Sequence, residues 1–182
     1  GKGIVMSVCG FGSGSVVSLL DVPGKFTASC IIRITHLGEV IICTGLADIG
    51  QGSNTILCQI AAEELGVEMS DVRLVGGDTD LCPPDSGTFS SKGTVHGGNA
   101  VRVAARRLRD KLLESIAEKL KCNPSELESR GGVIYNTKDN AKQISFKEAV
   151  RHVYEERKGE ELVIASTYQP PLPDTNFYIT GV

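Results

Sequence analysis

The sequence lacks the features that mark several common functional classes. Lysine and arginine total 19 against 22 aspartate and glutamate residues, so there is no basic excess of the kind that binds nucleic acid. No apolar run reaches the roughly 20 residues of a membrane-spanning helix, and no secretory signal opens the chain. We therefore expect a cytoplasmic protein that binds neither nucleic acid nor membrane. Its hydrophobic fraction of 41% is enough for a real core.

Metal-ligating patterns are missing as well. The six cysteines are widely spaced and none forms a C-x-x-C pair, so we expect no zinc or iron–sulfur ligation within this chain. Several cysteines lie in apolar runs, which indicates buried, reduced thiols. Cys82 differs because it lies in a polar loop, but no neighbouring histidine supports a nucleophilic role for it.

Hydrophobic periodicity indicates an α+β fold in which a mixed β-sheet is packed by about three helices. Two β-rich runs at 26–35 and 39–44 read as a hairpin. A later run at 72–75 follows the first helix, which predicts a parallel crossover. The helices are expected at 53–65, 98–121 and 145–157, and Ser145 with Glu148 fits a capping box at the start of the last one. Further strands are expected at 3–10, 131–135, 162–168 and 177–182.

The domain organisation follows from the chain length. A chain of 182 residues fits a single domain, 1–182. The chain begins directly with a strand-like run after Gly1-Lys2-Gly3, which suggests a domain excised from a longer protein.

One glycine-flanked segment, residues 45–54, reads GLADIGQGSN. Gly50 and Gly52 would let the backbone pass close to a ligand. Between them, Gln51 offers a neutral side chain that can both donate and accept hydrogen bonds. The alternative is a tight strand-to-helix turn in which Gln51 is only exposed.

A second polar segment, residues 76–98, reads GGDTDLCPPDSGTFSSKGTVHGG and runs into a long amphipathic helix. Loops of this length inside a compact domain are usually functional or disordered, and the strongly periodic segments on both sides favour a structured loop. Hydroxyl and backbone N–H groups at a helix start can bind an anion. The alternative, favoured by pattern alone, is that a serine or threonine simply caps the helix. His96 is expected to be structural, because no second histidine lies nearby.

Together the two segments resemble the molybdenum hydroxylases, the xanthine dehydrogenase family, which includes aldehyde oxidase-like enzymes. The pattern G-x-x-D-x-G-Q-G-x-x-T at 45–55 is similar to one cofactor-binding segment of their large subunit. The stretch 77–94 is similar to the next such segment, and most resembles that of the 4-hydroxybenzoyl-CoA reductase branch. The spacing between the two segments also fits the family.

This resemblance implies a molybdenum–pterin cofactor, molybdopterin, often extended in bacteria to a cytosine dinucleotide. It implies iron–sulfur clusters and FAD on other domains or subunits, and no protein side chain bound directly to the metal. The implied reaction oxidises an aromatic, heterocyclic or aldehyde substrate with water-derived oxygen. The implied cofactor contacts are Gly50, Gln51, Gly52, Ser90, Ser91 and Thr94.

The sequence also departs from the family pattern. Lys92 stands where arginine is common, which weakens the case for a planar phosphate contact. The family's catalytic glutamate belongs to a Gly-Glu motif far downstream, and no glutamate of this sequence lies in that context. We therefore expect no catalytic residue here, and no activity without the rest of the large subunit and its iron–sulfur and flavin partners.

Two other interpretations of the sequence stay open. The chain could be a non-catalytic module that binds a nucleotide or phosphate at its two helix starts. It could instead be a structural domain whose polar loop docks onto a partner subunit.

Overall fold

A computed structural model describes residues 1–5 and 27–169. The strand expected at 177–182 and most of the one expected at 3–10 lie outside these residues. The main sheet has four strands in the order β3-β2-β1-β7. They are β1 (Ala28–Ile34), β2 (Val40–Thr44), β3 (Val72–Gly76) and β7 (Leu162–Tyr168).

The pairing of these strands makes the sheet mixed, as the sequence predicts. β1 pairs antiparallel with β2, with Ile32 opposite Ile42, and antiparallel with β7 on its other side. β2 and β3 are parallel. Helix α1 (Ser53–Leu65) connects them, so the predicted crossover is confirmed.

Two helices cover one face of this sheet. Helix α2 (Gly98–Leu120) packs on β1 and β7, while α1 packs on β3 and on α2. Two glycines at the start of α2 bring the helices close, since an added Cβ would lie 3.6 Å from the Leu57 side chain at Gly97 and 2.8 Å from the Ile60 side chain at Gly98. The deepest core side chains, none more than 1% exposed, include Ile32, Ile42, Leu57, Leu108, Leu112 and Ile116.

A small second sheet extends the fold beyond what the periodicity indicated. It is antiparallel and consists of β4 (Leu127–Arg130), β5 (Val133–Asn136) and β6 (Gln143–Ser145). Only β5 was expected, because β4 and β6 span just four and three residues and carry mostly polar side chains. Helix α3 (Phe146–Glu156) follows directly, with the predicted capping box between Ser145 and Glu148.

The backbone N–H groups at the start of helix α1 are bound by the carboxylate of Asp48, and not by a side chain at the N-cap position. Gly52 precedes the helix with no side-chain cap of its own. The carboxylate of Asp48 instead accepts hydrogen bonds from the backbone N–H groups of Gly50 and Asn54, at 2.9 and 3.1 Å. These bonds, led by the one from Gly50, hold the pKa of Asp48 below its ordinary value.

The glycine that ends α1 packs against β4 of the second sheet, and this contact predicts the effect of an alanine there. Gly66 has a φ of +70°, and an added Cβ would lie 2.0 Å from the Ser129 carbonyl oxygen. Gly131, with a φ of +57°, has nothing within 4 Å of such a Cβ. Both alanine variants meet the left-handed penalty of about 1–2 kcal/mol. We expect Gly66→Ala to cost about 1–3 kcal/mol more than Gly131→Ala, because only Gly66 is overpacked.

Urea denaturation of the purified chain measures this difference. Equal loss of stability in the two variants would show that β4 does not press against the end of α1.

The lowered pKa of Asp48 predicts a pH-dependent contribution to stability. A carboxyl whose folded pKa is depressed stabilises the fold above its unfolded pKa and loses that effect as pH falls through the folded value. We expect Asp48→Asn to be less stable than the wild type at pH 7, with the gap closing below about pH 4. Thermal unfolding across that pH range tests this, with Glu114→Gln on the exposed face of α2 as control. A gap that stays constant down to pH 2 would rule out the carboxylate as the cause.

Candidate functional site

The two segments singled out from the sequence lie against each other at one end of the main sheet. We call residues 45–52 the Gln51 loop and residues 77–92 the serine loop; they follow β2 and β3, respectively. Thr88 of the serine loop donates its hydroxyl to the Ala47 carbonyl oxygen of the Gln51 loop, at 2.6 Å. Because β2 and β3 are parallel, their carboxyl ends meet at the same edge, which places the loops side by side.

The contact between the loops depends on small residues. An added Cβ at Gly45 would lie 2.3 Å from the Pro83 carbonyl oxygen and 2.9 Å from the Asp85 backbone nitrogen. The next residue, Leu46, is fully buried, and its side chain lies 3.0 Å from where a Cβ on Gly97 would stand. No larger residue fits at position 45 without moving the serine loop.

Gln51 braces its own loop. Its side-chain oxygen accepts a hydrogen bond from the backbone N–H of Ile49, at 2.7 Å. Its amide nitrogen donates to the Ser53 hydroxyl at 2.9 Å and, more weakly, to the Ala47 carbonyl at 3.4 Å. The side chain is nevertheless exposed, and its oxygen keeps a second lone pair for another donor.

The glycines beside Gln51 keep that surface clear. Gly50 and Gly52 have φ angles of +103° and +79°, which disfavour any residue with a side chain. An added Cβ at either position would meet no protein atom within 4 Å. The open space on this side of the loop is consistent with close approach of a ligand to the backbone.

A strained turn lies at the end of the serine loop. The backbone N–H of Lys92 donates to the Phe89 carbonyl oxygen at 3.1 Å, which closes a four-residue turn. Its two central residues, Ser90 and Ser91, have φ angles of 49° and 54°. Such left-handed conformations are costly for residues other than glycine and concentrate at functional sites. The Ser91 side chain is exposed, whereas Ser90 is half-buried.

The helix start after this turn is not capped in the manner that the sequence pattern favoured. A π-helical turn, Gly93–Gly97, precedes α2 without a break, and no side chain caps it at Lys92. The interpretation of a serine or threonine cap is therefore wrong at this position. Thr94 lies exposed in the first turn, where uncapped N–H groups and the helix dipole favour an anion.

The side chain of Lys92 points into the protein, and not toward the loop surface where a phosphate contact would lie. Its side chain is 1% exposed, and its ammonium group lies 2.8 Å from the Asp85 carboxylate. An inward ammonium cannot contact a phosphate at the loop surface. Lys92 therefore differs from a phosphate-binding arginine in its orientation as well as in its chemical group.

The structure places five of the six expected contact residues on the two adjoining loops and the sixth, Thr94, in the π-helical turn that follows, but the two groups are joined only indirectly. Within residues 27–169, no hydrogen bond links Gln51 to Ser90, Ser91 or Thr94. The bridge is the bond between Thr88 and Ala47.

Three residues that organise the site were not assigned these roles from sequence: Asp48, Thr88 and Asp85. The spacing of Asp48 two residues before a glycine is typical of a turn in which aspartate accepts backbone N–H bonds. That signal could have identified Asp48. Asp85 stands in the same way two residues before Gly87, whose backbone N–H it accepts at 2.8 Å, although its pairing with Lys92 has no such signal. No comparable local signal marks Thr88, whose partner lies in another segment.

Three thiols lie near the two loops. Cys82 borders a cavity of about 330 Å³ beside the serine loop, and its sulfur donates to the Val75 carbonyl at 3.3 Å. Burial raises the pKa of Cys43 and, more strongly, that of Cys30, to about 12. Thiols held protonated in this way are poor nucleophiles.

Two further properties concern metals and membranes. In the part of the chain that the structure describes, no three His, Cys, Asp or Glu side chains converge in a way that could hold a metal ion. None of the described helices combines the length and hydropathy needed to cross a bilayer.

Several known proteins are similar to this chain in sequence. It is 38% identical over 104 residues to a probable hypoxanthine oxidase of Escherichia coli, covering 57% of this chain and 11% of that protein. It is 33% identical over 148 residues to the gamma subunit of the 6-hydroxypseudooxynicotine dehydrogenase complex of Paenarthrobacter nicotinovorans, covering 81% of this chain and 17% of that protein.

A solved structure extends this likeness to the fold. The crystal structure of quinoline 2-oxidoreductase from Pseudomonas putida 86 matches with a TM-score of 0.76 and 28% identity, over 96% of this chain and 22% of that one. The chain thus spans only about a tenth to a fifth of its relatives' length. The profile of the molybdopterin cofactor-binding domain matches residues 1–180. The resemblance inferred from the two loops is confirmed, and the chain belongs to the molybdopterin cofactor-binding domain family of the molybdenum hydroxylases.

Proposed function

We propose that the Gln51 loop and the serine loop together form part of the molybdenum–pterin site of a larger oxidoreductase. The observation that carries this proposal is the bond between Thr88 and Ala47, because it joins the two family segments into one surface. On that surface the cofactor contacts are the backbone at Gly50 and Gly52 and the side chains of Gln51, Ser90, Ser91 and Thr94. The bound cofactor would supply the redox chemistry, using oxygen derived from water.

The two loops have different electrostatic roles in this proposal. The Asp48 carboxylate occupies the N-terminus of α1, so that helix start repels a phosphate. The uncapped first turn at Gly93–Gly97 has no such carboxylate and suits an anion. We assign the neutral pterin edge to the Gln51 loop and the anionic part of the cofactor, including any cytosine dinucleotide extension, to the serine loop. This division argues against a phosphate module that uses both helix starts.

The wider function follows from the relatives. We infer that the intact protein is a cytoplasmic oxidoreductase acting on an aromatic, heterocyclic or aldehyde substrate. The remainder of the large subunit supplies the catalytic glutamate, and iron–sulfur and flavin domains or subunits carry the electrons. The relative from Paenarthrobacter is by its name one subunit of a complex, which supports such an assembly. The chain by itself is inactive.

Removing one side chain from each loop tests the assignment. We expect Gln51→Ala, Ser91→Ala in the full-length protein to weaken cofactor retention by about 2–3 kcal/mol, or roughly 30- to 150-fold, since two polar contacts are lost. Elemental analysis of molybdenum in protein co-expressed with its neighbouring subunits gives the readout. The double variant Gln59→Ala, Ser70→Ala is a matched control outside the two loops. Equal metal in both variants would mean that the loops are structural.

Placing a negative charge at the start of the π-helical turn tests the anion site separately from stability. A glutamate at position 94 would favour the helix dipole by about 0.3–1 kcal/mol, yet it would repel an anionic ligand. We expect Thr94→Glu to keep or raise the melting temperature while molybdenum content falls at least about tenfold, a difference of about 1.4 kcal/mol. Thr94→Gln, similar in size but neutral, should retain more metal. If the two variants retain the same amount, no anion binds at this helix start.

A further inference from the structure

The buried ammonium group of Lys92 has three oxygen neighbours inside the protein. Nζ lies 2.8 Å from Oδ1 of Asp85, 2.8 Å from the Ser86 hydroxyl and 3.5 Å from the Thr27 carbonyl oxygen. The side chains of Lys92 and Asp85 are 1% and 0% exposed. Fully buried lysine is rare and is found paired, so this arrangement is a specific feature of the loop.

Asp85 in turn connects the second half of the serine loop to the end of β2. The oxygen that binds Lys92 also accepts the backbone N–H of Gly87, at 2.8 Å. On its other side, the Asp85 backbone packs against Gly45 at the end of β2. The ion pair therefore joins the helix start at Lys92 to a point that the main sheet holds in place.

The strained turn lies between these two anchored points. Its central residues, Ser90 and Ser91, are both left-handed. Lys92 closes the turn with its backbone N–H and anchors it with its side chain, and its ammonium lies 5.4 Å from the centre of the Phe89 ring. Strained conformations persist only where the surroundings determine them. Among the described contacts of this turn, those of Lys92 hold the strained conformation in place.

We propose that Lys92 is a positioning residue for the cofactor site and not a phosphate ligand. Its pair with Asp85 holds Ser90 and Ser91 in the left-handed turn and thereby presents the Ser91 hydroxyl and the first helical N–H groups to the ligand. This inference rests on the proposed function, because it concerns the same loop.

The buried pair allows a structural effect to be separated from a positioning effect. Removing Lys92 alone leaves the Asp85 carboxylate buried without its cation, which is strongly destabilising. Replacing both members with apolar residues is often neutral for stability. The double replacement, Lys92→Met with Asp85→Leu, should therefore fold well while lacking the anchor of the turn.

The experiment uses the full-length protein with its subunits and compares three variants. Lys92→Met, the double variant and the conservative Lys92→Arg are each measured for melting temperature, molybdenum content and amide hydrogen exchange of residues 86–91. We expect Lys92→Met to lower the melting temperature and the molybdenum content and to speed amide exchange at residues 86–91. The double variant should regain the wild-type melting temperature but keep fast exchange at 86–91 and at least a tenfold loss of molybdenum. Lys92→Arg should restore slow exchange and most of the metal, because arginine can pair with Asp85.

Two results would overturn the proposal. Full molybdenum in the double variant would show that the pair only balances charge. Loss of molybdenum in Lys92→Arg with exchange still slow would show that the ammonium itself contacts the cofactor. The Gln51→Ala, Ser91→Ala variant runs alongside: if it keeps its metal, the proposed function fails, whereas if it loses metal and the Lys92 variants do not, only the positioning role fails.

Discussion

The site depends on a close backbone contact between the end of β2 and the serine loop. Position 45 holds no side chain, and the Pro83 carbonyl and the Asp85 backbone fill the space where a Cβ would be. Leu46 then enters the core beside the glycines that begin α2. With the loops this close, Thr88 reaches the Ala47 carbonyl. The mutual position of all the proposed cofactor contacts follows from this single approach.

The main elements were predictable because their signals are local and periodic. The apolar repeats gave α1 and α2 nearly to the residue, and the capping box at Ser145 gave α3 its start. The crossover between β2 and β3 followed from a helix lying between two strand-like runs. Most of the small sheet was not predicted, since β4 and β6 have only four and three residues, mostly polar, and so show no alternation of polar and apolar side chains.

The conformation of the serine loop was not predictable, because it depends on side-chain contacts that the spacing of residues in the sequence does not reveal. Sequence identified Lys92 as a cation but could not say that it turns inward to Asp85. Nor does a Ser-Ser pair signal left-handed backbone, for which glycine or asparagine is typical. The expected serine or threonine cap is absent because a π-helical turn precedes α2 and Lys92, the residue before that turn, has no side-chain cap bond.

That π-helical turn also bears on how homologous sequences should be aligned. A π turn contains more residues than an α turn, so one residue can be deleted between Gly93 and Gly97 with α2 left intact. Since the π turn takes up the extra residue, the helix on either side would keep nearly the same rotational phase, and Lys92 would stay beside Asp85. A one-residue gap at this place is thus inexpensive for both the helix and the loop. An alignment that places the gap outside the turn will pair residues that lie about 100° apart around the helix axis.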